Sequence, residues 1–513
     1  MSRMDMKKRV NKSIDIILLL GMISYIAVFA FINIYRTWYG TGPDETQTAI
    51  VSRIFWEHKS LFPKEFFPWT ESGIFSLPTI GMFIYGLTGN LVITQGVTPT
   101  IIMVLILLAF YKLLSVMEIS RTGKLIGMLA ILCVPCNFVR QSIAFVSYAA
   151  YGMTILTMFL VLADYIMLVS GKMKHKWIYL IFHLCLAFAN GCNSSRGVLD
   201  VYAPLVALEC VRYFILILKQ KKIWIKEQLL PLCFSVSIML CSFLTTYLPI
   251  SSRQITSKAF RQSPVKLIEE VLPAMMNWLG MYNKHIQLGL VPLFLLCLAI
   301  GVYIVYTHKI DDMIQLVIAF MWAAMIITIV LLSVTQTDVV PRYFFMFYYI
   351  IIFSALLVFE RWNNNWKLVI PTLVVLCGIM NMKAEYIDIV KTPVTRPEYD
   401  EIVSYMEEND DHYGYSDYMN ANPLTLWSNG KVQVSSVYFK DLSIWMWTTS
   451  SEYYVPTVDE NTKSVIIVPK NEMEDIPEML EKYPDIKEGM ETENFIVYTC
   501  EKNHAVCEYE RVN

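Results

Sequence analysis

The amino-acid sequence predicts a mainly α protein: a polytopic transmembrane helix bundle of about 11–13 spans over residues 1–382, followed by a small C-terminal extracytoplasmic α/β domain over residues 383–513. Three observations predict it. Of the 513 residues, 55% are hydrophobic and 17% charged, with a mean hydropathy of +0.46, whereas a soluble globular chain carries about 25% charged residues. Apolar runs recur at 14–33, 98–117, 144–169, 229–249, 288–306, 314–334, 343–359 and 367–380. Charge is also unevenly divided. Residues 383–513 hold 11 Lys/Arg against 26 Asp/Glu, a balance of -15, while the remainder holds 31 against 18, a balance of +13. A basic membrane part and an acidic soluble tail are implied.

The first apolar run follows Arg3, Lys7, Lys8, Arg9 and Lys12. It is long for a signal-peptide core and has no clean A-x-A cleavage site, so it reads as a retained first span. Basic residues in short loops mark the cytoplasmic side. "GKMKHK" (171–176), "KQKKIWIK" (219–226), "THKIDD" (307–312) and "ERWNNNWK" (360–367) mark it here, together with the N-terminus. The opposite side then receives 35–73, about 190–199, 250–287, 335–342 and the tail. Between 74 and 171 there are four apolar segments where parity needs an odd number of crossings, so one is expected to be re-entrant or interfacial. In the tail, "RPEYDEIVSYMEEND" and "MEDIPEMLEKY" read as helices. "KVQVSSVYF", "KSVIIVPK" and "ENFIVYTC" are β-rich runs bounded by turn residues. Cys500 and Cys507 suit a disulfide if the tail is exported, or two thiols. The other cysteines sit mostly in apolar runs as small hydrophobes, and no CxxC or Cys/His metal pattern appears.

Several polar clusters fall on the outer face by this topology. Gly40-Thr41-Gly42-Pro43 forms a turn after the first span, and Asp44 and Glu45 follow it directly. Paired carboxylates there are a candidate general base and candidate ligands for a divalent metal. They also fit the solvated start of a helix, favoured by its dipole. Arg196, the basic loop Arg253, Lys258, Arg261 and Lys266, and Arg342 with Tyr343 near Asp338 are candidates to hold an anionic, membrane-borne group. Interfacial anchoring and contact with anionic lipid are the plainer readings. Tyr415, Tyr418, Asn420, Asn422 and Trp427 in "YGYSDYMNANPLTLW" suit stacking on a sugar ring and hydrogen bonding to its hydroxyls; a packed β-domain core with polar turns fits them equally. Glu209 and Arg212, at i,i+3 in the run 200–218, can pair on one helix face. No nucleotide-binding signature of the G-x-G-x-x-G or P-loop type is present.

Together, the basic N-terminus, the first span, the outer loop opening with "PDE" at Pro43-Asp44-Glu45, the many spans, the Arg342-Tyr343 pair and the outer tail resemble the GT-C superfamily. Its members include protein O-mannosyltransferases and the aminoarabinose transferases of lipid A. The likeness covers the layout of the whole chain, though Arg342-Tyr343 continues as "FFMFYY" where a proline-rich continuation occurs in the family. The resemblance implies an inverting glycosyltransferase of the bacterial plasma membrane with a cytoplasmic N-terminus. It gives the catalytic acid to Asp44, with Glu45 as the alternative, and makes Arg342 and Tyr343 a recurrent late feature. The implied partners are a polyprenyl-phosphate sugar lipid, a glycan, lipid or protein acceptor and the bilayer, with no nucleic acid. Two other functions fit a membrane chain with outer loops: a polysaccharide polymerase or ligase using diphosphate-lipid donors, and a non-enzymatic flippase or transporter. The second commonly shows internal repeats and midplane charges, and no clear repeat is visible.

Overall fold

The computed structural model describes residues 3–36, 42–68, 73–134, 145, 151–221, 226–248, 264–278, 312–361, 368–391 and 394–507. Those residues form two compact units. One comprises Met1–Phe29, Ile102–Ala144 and Tyr151–Asp388; the other comprises Ala30–Ile101, Phe145–Ala150 and Ile389–Asn513.

Six helices among the described residues are long and apolar enough to cross a membrane: Lys12–Tyr35, Leu91–Val116, Gly152–Val169, Val198–Lys219, Met313–Val334 and Pro341–Arg361. A bilayer offers no partners to backbone polar groups, so runs of this kind close their hydrogen bonds within the helix. The protein is thus a mainly α, polytopic bundle by length and composition. Three apolar helices are shorter: Leu77–Thr88, Leu229–Thr245 and Val369–Asn381. The first has 12 residues, about 18 Å at 1.5 Å per residue, against a hydrocarbon core of about 30 Å. It is one of the four apolar segments between 74 and 171 and is shorter than that thickness. The apolar run 288–306 lies outside the described residues.

In the first unit, the charged side chains inside apolar helices are matched to one another. Glu209 accepts two hydrogen bonds from Arg212, at 2.5 and 3.1 Å, and a third from the Tyr165 hydroxyl. Asp164 accepts from Lys112 Nζ at 2.7 Å and pairs with His183 Nε2 at 2.9 Å. Pairing of this kind is what makes a buried charge tolerable in a low dielectric.

The second unit contains helix α1 (Pro43–His58), the short helix α2 (Leu77–Thr88) and a five-stranded mixed sheet. The strands are β1 (Tyr413–Ser416), β2 (Gln433–Ser436), β3 (Ser464–Pro469), β4 (Lys487–Glu491) and β5 (Phe495–Cys500). Their order across the sheet is β2-β1-β3-β5-β4. β1, β2 and β3 are parallel, and β5 is antiparallel to both β3 and β4. The central strand "SVIIVP" is buried at every residue, as a strand covered on both faces requires. Val465 and Ile467 pack with Ile402, Met406, Leu424 and Val497 on one face. Ile466 and Val468 pack with Tyr415, Met479 and Tyr498 on the other.

The two helices read in the tail form at Pro397–Glu408 and Ile476–Lys482. A third, α3 (Tyr418–Trp427), connects the parallel strands β1 and β2, with Asp417 capping it through a hydrogen bond from Met419 N at 3.0 Å. The sequence left this stretch open between sugar-binding side chains and a packed β-domain core with polar turns. Its helix begins at a side-chain cap and runs through Pro423. Cys500 and Cys507 are both buried as thiols, and burial pushes the Cys500 thiol up to about 12.

Helix α1 belongs to the same unit as the sheet. Its residues Ala49, Ile50, Val51, Ile54 and Phe55 form one core with Phe66, Leu91 and Leu426 of α3. Arg53, 7% exposed, donates to Gln433 Oε1 on β2 and to the Tyr453 hydroxyl. Gly430 sits against this arginine at φ +79°, where a Cβ would meet Arg53 and Leu91 at 3.2 Å. That left-handed backbone and close approach together require glycine.

Candidate functional site

The start of α1 carries the paired acids, and the structure gives them different surroundings. Gly42 caps the helix, Pro43 occupies its first turn, and the Glu45 carboxylate turns back to accept from Gly42 N at 2.7 Å. This half of a capping box satisfies an N–H that the helix leaves open. Gln95, fully buried, donates to the Glu45 carbonyl and accepts from Ala49 N at 3.0 Å, which pins the first turn in place. Asp44 faces the tail. Its Oδ1 accepts from the Tyr418 hydroxyl at 2.9 Å and lies 3.3 Å from Gln47 Nε2. Gln47 Nε2 also donates to the Tyr418 hydroxyl at 2.8 Å. Burial, then the Asp44 charge, pushes the Tyr418 phenol well above its ordinary value. Tyr418 therefore stays a neutral donor to the carboxylate across the physiological range.

Aromatic rings continue from this point. Tyr418 stacks on Trp445 at 6.2 Å and 21°, and Trp445 lies 4.6 Å from Tyr438. Tyr438 is exposed and Trp445 half-buried. The cluster therefore presents a carboxylate beside a partly open aromatic wall. Such a wall offers flat apolar area with polar edges, and the carboxylate is a proton acceptor.

The other proposed acceptor contacts serve the tail itself. Tyr415 is buried, donates to the Tyr453 carbonyl at 2.7 Å and accepts from Asn503 Nδ2 at 2.7 Å. Asn420 accepts from the Tyr399 hydroxyl and donates to Asp417, both at 2.7 Å. Asn422 donates to the Thr448 carbonyl at 3.3 Å. Trp427 donates to Asp400 at 2.8 Å and meets Tyr399 edge-on at 6.1 Å. Of the five, Tyr418 hydrogen-bonds Asp44. Gln47, Tyr438 and Trp445 were not singled out from the sequence. The two tryptophans in "SIWMWTTS" are a visible signal, since indoles two residues apart in a polar loop need an explanation.

In the first unit, the Arg196 guanidinium lies 4.0 Å from the Tyr151 ring centroid and 5.9 Å from that of Tyr343. Arg342 and Tyr343 share the 3-10 turn Pro341–Phe344. The structure thus brings Arg196 to the Arg342-Tyr343 turn across 147 residues of chain. Lys266 donates to the carbonyls of Thr335 and Thr337, at 2.7 and 2.6 Å, and so holds the loop that leads to Asp338 and Arg342. Arg253, Lys258 and Arg261 lie outside the described residues. No protein-family model and no curated protein matches the chain; the membrane helices, the mixed sheet and the Asp44–Tyr418 cluster are what define it.

Proposed function

We propose that the chain is a membrane glycosyltransferase resembling the GT-C superfamily. It moves a sugar from a polyprenyl-phosphate lipid to a glycan, lipid or protein acceptor at the outer face of the plasma membrane, in surface polysaccharide or glycolipid synthesis. The N-terminus is cytoplasmic, and residues 383–513 form its extracytoplasmic α/β domain. One observation carries the reading. Asp44 is held by Tyr418 and Gln47 beside an aromatic wall, so it is more than a solvated helix start, while Glu45 is used as a cap.

In the proposed step, the acceptor oxygen attacks the anomeric carbon. The acceptor proton passes to Asp44. The bond from the anomeric carbon to the phosphate oxygen breaks, and the lipid phosphate leaves with the electron pair, giving inversion. Arg342, Arg196 and the basic loop 253–266 are the groups assigned to the phosphate, whose growing charge they stabilise.

The test is transfer by purified protein in nanodiscs, with monophosphate and diphosphate polyprenyl sugars offered in parallel. Tyr418→Phe removes a hydrogen bond to a charged acceptor, worth about 1.5 kcal/mol or more, and turnover is expected to fall about 10-fold. Unchanged turnover would remove Tyr418 from the site, and transfer from diphosphate donors alone would make the chain a polymerase or ligase.

Arg342→Ala is expected to weaken donor use by about 10- to 100-fold. Arg342→Lys recovers only part, since the planar fork is lost. Wild-type kinetics in a folded Arg342→Ala protein would make that residue a membrane anchor.

A further inference from the structure

We propose that His58, Glu65 and Glu452 bind one divalent transition-metal ion, best matched by Zn2+, which clamps the end of helix α1 to the tail. One ligand atom from each of the three lies within 4.8 Å of the other two. Nε2 of His58 is 2.8 Å from Glu452 Oε2, and Nδ1 is 3.8 Å from Glu65 Oε2. Two ligands held about 2.1 Å from a tetrahedral zinc stand roughly 3.4 Å apart, and the trio, with one ligand atom per residue, is within 4.8 Å of one another before any ion draws it in. The imidazole presents one nitrogen to each carboxylate. One oxygen from each glutamate joins the single nitrogen that takes the ion, and the ring proton sits on the other nitrogen. Mixed imidazole and carboxylate ligation suits zinc better than Mg2+ or Ca2+, which prefer oxygen alone.

The three residues come from separate segments, and main-chain bonds already hold those segments together. Phe66 and Phe67 pair antiparallel with Ser450 and Thr449. Ser451 N donates to the Glu65 carbonyl at 2.8 Å, and Glu452 N donates to Ser450 Oγ at 3.4 Å. His58 is the last residue of α1, ahead of Lys59 at φ 51°. The ligand set therefore does not need the ion in order to assemble.

Charge favours a dication, since two carboxylates face one imidazole. The nearby cations are engaged elsewhere: Lys59 places its ammonium 3.4 Å from the Trp56 ring centroid, and Arg53 donates to Gln433 and Tyr453. His58 side-chain exposure is 22%, and that of Glu65 and Glu452 is 41% and 36%, which leaves room for entry and for water to complete the coordination. His58 lies 14 residues beyond Asp44 on the same helix, about 21 Å along its axis. The ion is thus a staple remote from the proposed transfer chemistry, and the inference stands or falls independently of that chemistry.

The experiment uses the full chain in detergent, stripped with chelator and dialysed against Zn2+ or Co2+. Elemental analysis is expected to find one Zn2+ per chain, the thermal midpoint to rise by several degrees, and Co2+ to give visible bands of a low-coordinate nitrogen–oxygen site. Glu452→Gln, Glu65→Gln and His58→Ala should lose the metal and the shift, while Asp44→Asn and Glu45→Gln keep both. Failure of the wild-type chain to retain stoichiometric metal overturns the proposal, whether or not the variants fold. So does full retention in Glu452→Gln and Glu65→Gln. A midpoint that falls in His58→Ala, with no metal uptake by the wild type, would show the trio to be an imidazolium between two carboxylates.

Discussion

Asp44→Asn is expected to lower sugar transfer by about 10²- to 10⁴-fold, the usual contribution of a positioned general base. The substitution preserves shape, and the asparagine carbonyl still accepts from Tyr418, whose hydroxyl lies 2.9 Å from Asp44 Oδ1. What it removes is the capacity to take a proton. Donor binding should survive, so the loss falls on turnover. Glu45→Gln keeps the bond to Gly42 N, because an amide oxygen can accept it as the carboxylate does, and turnover should stay near wild type. Transfer from a polyprenyl-phosphate sugar in nanodiscs, at matched expression, separates the two residues. A dead Glu45→Gln with an active Asp44→Asn would exchange their roles. Full activity in both would move the base elsewhere.

Arg212→Ala is expected to destabilise the first unit by about 3–5 kcal/mol, the range for removing one partner of a buried ion pair. Glu209 is fully buried and Arg212 is 4% exposed. Arg212 supplies two of the hydrogen bonds to Glu209, and Tyr165 supplies another. Without the guanidinium, the carboxylate stays in an apolar setting with no countercharge on its own helix turn. Replacing both, as Glu209→Leu with Arg212→Met, removes the stranded charge and should restore most of the loss. Unfolding in mixed micelles measures the difference. A loss under about 1 kcal/mol in Arg212→Ala would place the pair among water-screened surface bridges.

Much of the helical part was legible because apolar runs of about 20 residues have few alternatives. The run 98–117 still misled at its start. The helix begins at Leu91 and passes through Thr94, Gln95, Thr98 and Pro99, polar and helix-breaking residues that burial and local bonds absorb. Thr98 Oγ1, for instance, donates to the Thr94 carbonyl at 2.7 Å. The turn and acids at Gly42–Glu45 correctly marked a helix start. The difference between Asp44 and Glu45 was invisible, because it depends on Tyr418, brought close only by folding. Arg53 was missed for the same reason: on a helix with ordinary amphipathic spacing, an arginine reads as solvated until the sheet that covers it is known. Strands β3 and β5 were legible from their β-branched content, whereas the parallel pairing of β1 with β2 and β3 depends on the helix at Tyr418–Trp427.

The bond between Asp44 and Tyr418 joins residues 374 apart. A ribosome adding about 5–20 residues per second needs roughly 20–75 s to travel that distance. During that interval the first spans are already being threaded into the bilayer, and the acid-bearing helix waits without the phenol that will orient it. Contacts this distant in the chain also form slowly, because ordering must precede the reward. The pairing of Asp44 with Tyr418 therefore waits on synthesis of everything between them.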